Sequence, residues 1–270
     1  MTADEPDPFS GRSGREGPRP STSPPQPRTE SRPAFYAARP GGWRDWWTLL
    51  HPPYTAWHLS YVVIGACLAS HVSVSRLVGT LLAFLFAVGF AAHALDELHG
   101  RPLGTRIPTS ALLVVTAVGL AGAVVLGIIG LSRVGWALIP FMVLGPLLVL
   151  AYNLELFGGL VHTDIGFALA WGSFPVLVAY VAQAGRLAVA PVIAAAGAFA
   201  LSFAQRQLST PARLIRRRVT SVDGHATLRD GVTMPVDRQI LLAPLEGALQ
   251  AMSWGVVLTA AAFAVARLTS

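Results

Sequence analysis

The 270-residue chain is 53% hydrophobic and only 13% charged, against roughly 25% charged in ordinary soluble domains. That deficit, with several long uncharged runs, excludes a soluble enzyme and predicts an all-α, polytopic membrane bundle. The formal net charge is +6, but its arginines lie mostly in a tail and one loop. Membrane topology explains that distribution, and no nucleic-acid partner is expected.

All 20 basic residues are Arg, a bias associated with high-GC bacterial genomes. Residues 1–42 are rich in Pro, Gly, Ser and Arg, with little aliphatic content to offset chain entropy. They read as a disordered cytoplasmic tail. Trp43, Arg44, Trp46 and Trp47 follow, a group suited to the membrane interface. Residues 43–270 form the transmembrane domain. Seven apolar runs are long enough to span, near 54–72, 76–98, 110–131, 134–155, 161–183, 187–206 and 240–266. The single cysteine, Cys67, falls in the first of them as a small hydrophobe.

The arginines set the orientation. With the N-terminus in the cytoplasm, seven arginines of the tail and its junction, Arg101 and Arg106, and seven between 206 and 238 lie inside. Only Arg76, Arg133, Arg186 and Arg267 lie outside. The positive-inside bias therefore predicts an inner-membrane, multi-pass protein with a cytoplasmic N-terminus, an external C-terminus and an Arg-rich cytoplasmic loop at 207–239.

Ionisable groups inside such spans are costly and point to function. The second span ends in His93, Asp96, Glu97 and His99. On a helix the first three share a face, and His99 continues the stripe. Such a His/carboxylate set has metal-ligand character. Other spans end on the same side with Tyr152, Asn153 and Glu155, with His162 and Asp164, with Gln205, Arg206 and Gln207, and with Glu246. Lipid-facing carboxylates are disfavoured, so these groups predict one polar cavity open to the cytoplasm. His58 and His71 read as satisfied or interfacial histidines.

In chain order these features resemble the UbiA-type intramembrane prenyltransferases. His51-Pro52-Pro53 opens the first span, and Leu95-Asp96-Glu97-Leu98-His99 with an Arg/Pro loop stands where that family carries its first Asp-rich motif. Tyr152-Asn153-Leu154-Glu155 ends the fourth span, and Gly166 to Pro175 matches the Gly- and Pro-marked fifth. In the motif's register Asp96 takes the first Asp position, His99 the second and Leu103 the third. The end of the sixth span, Ser202 to Leu208, holds no carboxylate.

The resemblance implies a helical bundle that binds an isoprenyl diphosphate, with Mg²⁺ as cofactor and prenyl transfer as the activity. On that reading Asp96 and His99 are catalytic. Tyr152, Asn153, Glu155, Gln205, Arg206 and Arg101 bind substrate, and His93, Asp96, Glu97 and His99 hold the metal. The His at 99 favours a softer ion than Mg²⁺, such as iron, zinc or manganese. Two alternatives stand beside it: a His/carboxylate metal-dependent membrane enzyme on the same scaffold, and a non-catalytic membrane partner of a lipid-pathway complex. The Arg213–Arg218 cluster suits a diphosphate or an anionic headgroup, or serves topology alone.

Overall fold

The computed structural model describes residues 32–269. A short helix, α1 (Trp43–Leu49), leads into α2 (Pro52–Cys67). Six further helices are long and apolar enough to cross a membrane: α3 (Val74–Leu98), α4 (Thr109–Val134), α5 (Trp136–Asn153), α6 (Asp164–Ala184), α7 (Val189–Arg218) and α8 (Arg238–Leu268). The expected all-α membrane bundle is observed to that extent. The seventh apolar run, α2, has 16 residues, about 24 Å at 1.5 Å per residue, and falls short of the usual spanning length.

Contacts at the helix ends define two ends of the bundle. At the far end, Ser73 N donates to Gln183 Oε1 at 2.8 Å, Arg76 donates to the carbonyls of Gln183 and Arg133, and Arg267 Nε donates to the carbonyl of Cys67 at 3.0 Å. The near end holds the start of α2, the α3–α4 connection, the α5–α6 connection and the α7–α8 connection. The chain thus runs between the ends seven times, with α2 making the first pass.

Burial separates centre from periphery. The most hydrophobic window of α6 is 56% buried and that of α4 only 17%. Val114, Val118, Val125 and Ile128 of α4 are exposed, as lipid-facing residues are in a solvent with no hydrophobic drive to hide them. Trp57 and Tyr61 of α2 are almost fully buried, and α2 packs against α6 and α8. Two glycines permit these approaches. A Cβ at Gly65 would overlap the carbonyl of Val176, and one at Gly172 the carbonyl of Ala198.

Two of the helices contain π-helical stretches, Leu85–Ala92 in α3 and Ala168–Ser173 in α6. Such stretches are rare and concentrate at functional positions. Each one here directly adjoins the polar groups described below.

The connection after the sixth apolar run differs from expectation. Instead of a loop from 207, α7 continues to Arg218. Leu208, Ala212 and Ile215 extend its apolar stripe and pack on Leu242, Leu245 and Leu249 of α8, which holds the helix together across Pro211. The connection proper is a hairpin, β1 (Gly224–Thr227) against β2 (Thr233–Val236). Its turn uses Gly231 at φ 86°, a backbone conformation glycine adopts freely. Asp237 then caps α8 by accepting from Ile240 N at 2.8 Å.

The tail reading also changes. Disorder expected for residues 1–31 falls outside the described residues. Residues 32–42 belong to the folded domain: Ala34 and Ala37 are buried, Phe35 and Tyr36 meet Tyr54 edge-on, and Asp45 accepts from Gly41 N and Arg106 N at 2.9 and 3.0 Å.

Candidate functional site

The near end gathers most of the expected clusters. The π-helical stretch of α3 delivers His93, whose Nδ1 donates to the Gly89 carbonyl at 3.2 Å and whose ring stacks on His51 at 4.4 Å. One turn on, Asp96 is half-buried, and its carboxylate makes no hydrogen bond or ion pair with any described residue. Arg213, Arg217 and His162 all lie within electrostatic reach of that carboxylate. His162 stacks on Tyr152 at 4.5 Å and donates from Nδ1 to the Tyr152 carbonyl at 2.9 Å. Asp164 accepts from Arg206 Nε at 3.1 Å and from Gln207 Nε2 at 2.7 Å, and the Arg206 guanidinium lies over the Phe167 ring.

Several buried polar atoms at this end have no partner among the described residues: His51 Nε2, Tyr152 OH, Gln205 Oε1 and Arg238 Nε. Leaving such atoms unpaired costs about 1–3 kcal/mol each. Four at one end mark a place where something besides protein belongs.

Other predicted residues do structural work instead. Glu97 is fully buried. Its carboxylate accepts from Leu103 N at 3.0 Å and from Thr105 N and Oγ1 at 2.8 Å each, which folds the 100–108 loop. Arg101 donates to the carbonyls of Thr105 and Ile107 and to Thr109 Oγ1, so it braces the same loop and is not available to substrate. His99 does not continue the helical stripe: α3 ends at Leu98, and His99 is exposed. Asn153 bonds the Val149 carbonyl of its own helix at 2.7 Å, and Glu155 is exposed at a left-handed turn. His58 is satisfied, donating to the Trp171 carbonyl at 2.9 Å, and His71 is exposed.

The metal set is therefore corrected. His93, Asp96, Glu97 and His99 do not converge, and among the described residues no group of three or more His, Cys, Asp or Glu side chains is placed to hold a metal. Mg²⁺ bridging needs several free carboxylate oxygens. Among the described residues this site offers Asp96 as its one free carboxylate, since Glu97 is bound to its loop, Asp164 is held by Arg206 and Gln207, and α7 presents Gln205, Arg206 and Gln207. The donor set fits neither Mg²⁺ nor a softer ion.

The cavity differs from the polar one expected. It measures about 790 Å³ and lies between α3, α4, α5 and α6, with apolar walls such as Val88, Leu120, Phe141, Val149 and Phe174. At one end it begins under Arg76 and Arg133, and it reaches Trp171 inside. Trp171 meets Tyr152 edge-on at 5.8 Å. The apolar cavity thus stops one aromatic ring short of the polar cluster.

Sequence reasoning passed over Tyr36 and Tyr54, named His51 only as the entry to the first span, and placed Arg213 and Arg217 in a loop rather than on a helix. Tyr36 OH and His51 Nδ1 are 2.9 Å apart. Burial pushes the Tyr36 phenol up and holds His51 well below the usual imidazole range, so both are neutral. The signal available was the Phe35-Tyr36 pair inside an otherwise polar tail, and the i, i+4 spacing of Arg213 and Arg217 on a still-amphipathic stretch. No protein-family model, no curated protein and no solved structure matches the chain.

Proposed function

We propose that this is a multi-pass membrane protein that binds an isoprenoid or similar long-chain lipid. The chain of the ligand lies in the apolar cavity, and its polar head lies at the near end among Asp96, Tyr152, His162 and Arg206. The observation that carries this reading is the junction at Trp171, where an apolar cavity of about 790 Å³ abuts unpartnered polar atoms across the Tyr152 ring. A site with one greasy and one polar compartment suits an amphiphile. The opposite mouth suits a headgroup less well, because Arg76 there is tied to two carbonyls. The arrangement is of the kind expected from the UbiA resemblance, without its metal-binding carboxylates. In this reading α2 is a seventh span and the near end faces the cytoplasm, where the arginine bias places it.

The test is lipid binding by the purified protein. Native mass spectrometry of protein extracted in mild detergent should show a co-purifying isoprenoid, and added geranylgeranyl diphosphate should exchange with it. Gly79 lines the cavity, and a Cβ there meets nothing within 4 Å. Gly79→Phe should fill the cavity, keep the fold and weaken chain binding at least tenfold. Unchanged binding by a folded Gly79→Phe protein would exclude the cavity as the chain site.

A further inference from the structure

The extension of α7 beyond its apolar run places a set of arginines at the near end, and they are not equivalent. Arg206 is matched by Asp164. Arg216 is paired with Glu246 through both guanidinium nitrogens that face it, and Arg238 donates to the Arg216 carbonyl. Arg213 and Arg217 stand apart. Arg213 is half-buried, and its one hydrogen bond among the described residues is a long contact of 3.4 Å to Thr210 Oγ1. Among the described residues Arg217 donates only to the Pro33 carbonyl, at 3.3 Å. Four residues apart, they project from one side of the helix as like charges that repel.

The groups within electrostatic reach of them are His51, the phenols of Tyr36, Tyr54 and Tyr152, Arg206 and the carboxylate of Asp96. The phenols and His51 are neutral. Among the described residues Asp96 is the one unpaired carboxylate set against the two unmatched guanidinium groups, Glu246 being taken by Arg216, which leaves one positive charge in excess. His51 adds a polar atom aimed inward, for its Nδ1 is taken by Tyr36 OH and its Nε2 is buried without a partner. When Tyr36 donates to Nδ1, Nε2 carries the proton and is a donor with no acceptor. Two guanidinium forks and a neutral N–H donor within electrostatic reach of one another are a donor set suited to a tetrahedral oxyanion, and the guanidinium geometry matches phosphate in particular.

We propose that Arg213, Arg217 and His51 Nε2 form a binding site for a phosphate or diphosphate group, gripped directly by these donors with no bridging metal. It rests on the lipid reading only for the identity of what the phosphate is attached to. Asp96 repels such an anion and sets its affinity, the reverse of the role a metal-bridging aspartate has. That opposition makes the proposal testable.

The full-length protein in detergent micelles is titrated calorimetrically with inorganic pyrophosphate, farnesyl diphosphate and palmitate, with EDTA present. Pyrophosphate and farnesyl diphosphate are expected to bind without divalent metal. Arg213→Gln and Arg217→Gln should each weaken both roughly tenfold or more, as loss of a charge-assisted hydrogen bond does. Arg218→Gln, at the exposed end of the helix, should change them less than twofold, and Asp96→Asn should retain or tighten binding. A requirement for Mg²⁺ together with loss of binding in Asp96→Asn overturns the proposal, and so does binding indifferent to both arginine substitutions. Palmitate bound as tightly as farnesyl diphosphate, with the same arginine dependence, also overturns it, since the site would then take carboxylates. If pyrophosphate binds through the arginines but the farnesyl chain adds nothing, this site stands, its phosphate comes from a soluble ligand, and the lipid reading fails. If binding depends on the farnesyl chain and ignores the arginines, the lipid reading stands and this site fails. Thermal melting controls for folding; should Arg213→Gln not fold, the exposed Arg217 carries the same test.

Discussion

The two ends of the bundle contain similar residues used in opposite ways. At the far end the buried polar groups are matched among the described residues: Gln183 binds the Ser73 backbone from both its amide atoms, and Arg76 spans from the Gln183 carbonyl to that of Arg133, while Arg133 and Arg186 are exposed. Helix ends leave orphan carbonyls, and the far end uses Arg76 and Arg267 to cover them. At the near end Arg101 covers the carbonyls of the 100–108 loop, while Glu97 and Asp45 accept from its N–H groups. A second population there is left over: Asp96, Arg213, His51 Nε2, Tyr152 OH, Gln205 Oε1 and Arg238 Nε. A charged residue near a membrane end is thus no sign of function by itself. What separates the two ends is the unspent hydrogen-bonding capacity.

This contrast can be attacked by substitution. Glu97→Ala should have the largest effect, destabilising by about 3 kcal/mol or more because it strands three buried donors, seen as a fall in detergent melting temperature. If instead Glu97→Ala melts normally and loses ligand, the division of roles between Glu97 and Asp96 is wrong. Arg76→Gln should cost about 1–3 kcal/mol at the far end and leave pyrophosphate titrations unmoved.

Third comes pH. The His51 imidazole is held below its unfolded value of about 6.5 by burial first and by the neighbouring His93, Arg213 and Arg217. Below that value the unfolded chain binds a proton that the folded one refuses. The contribution of His51 is therefore fully present above about pH 6.5 and is lost as pH falls, by up to about 1.4 kcal/mol per pH unit. Melting curves from pH 7.5 to 5 should show this slope flattened in His51→Gln. Smallest is Tyr36→Phe, which removes one hydrogen bond and should cost about 0.5–1.5 kcal/mol. No change would show that residues 32–42 do not brace His51.

Much of the bundle was legible because hydrophobicity and length are properties of contiguous sequence. The α3, α4 and α6 runs fell within a few residues of their observed bounds. The α7 extension was missed because Thr210-Pro211 reads as a turn, whereas packing of Leu208, Ala212 and Ile215 on α8 outweighs one proline. The site was half legible. Spacing put His93, Asp96 and Glu97 on one helical face, but it could not show that the 103–105 backbone, folding back, claims Glu97 and leaves Asp96. His51 and Tyr36 were invisible as a pair, since 15 positions separate them and no periodicity joins them. Unsatisfied atoms are a property of the whole fold, and no local pattern encodes them.

The π-helical stretch Leu85–Ala92 has one further consequence. A π turn is what a helix forms when one residue is added without lengthening the segment to match. Removing one residue there would restore α geometry and leave everything after it facing as before. The apolar composition of the membrane run would hardly change, so insertion into lipid would proceed, and His93 and Asp96 would still face the arginines. A single-residue deletion at Ala94, past the π stretch, has no such slack to draw on and would swing Asp96 by about 100°, separating the capacity to reside in the membrane from the capacity to bind there.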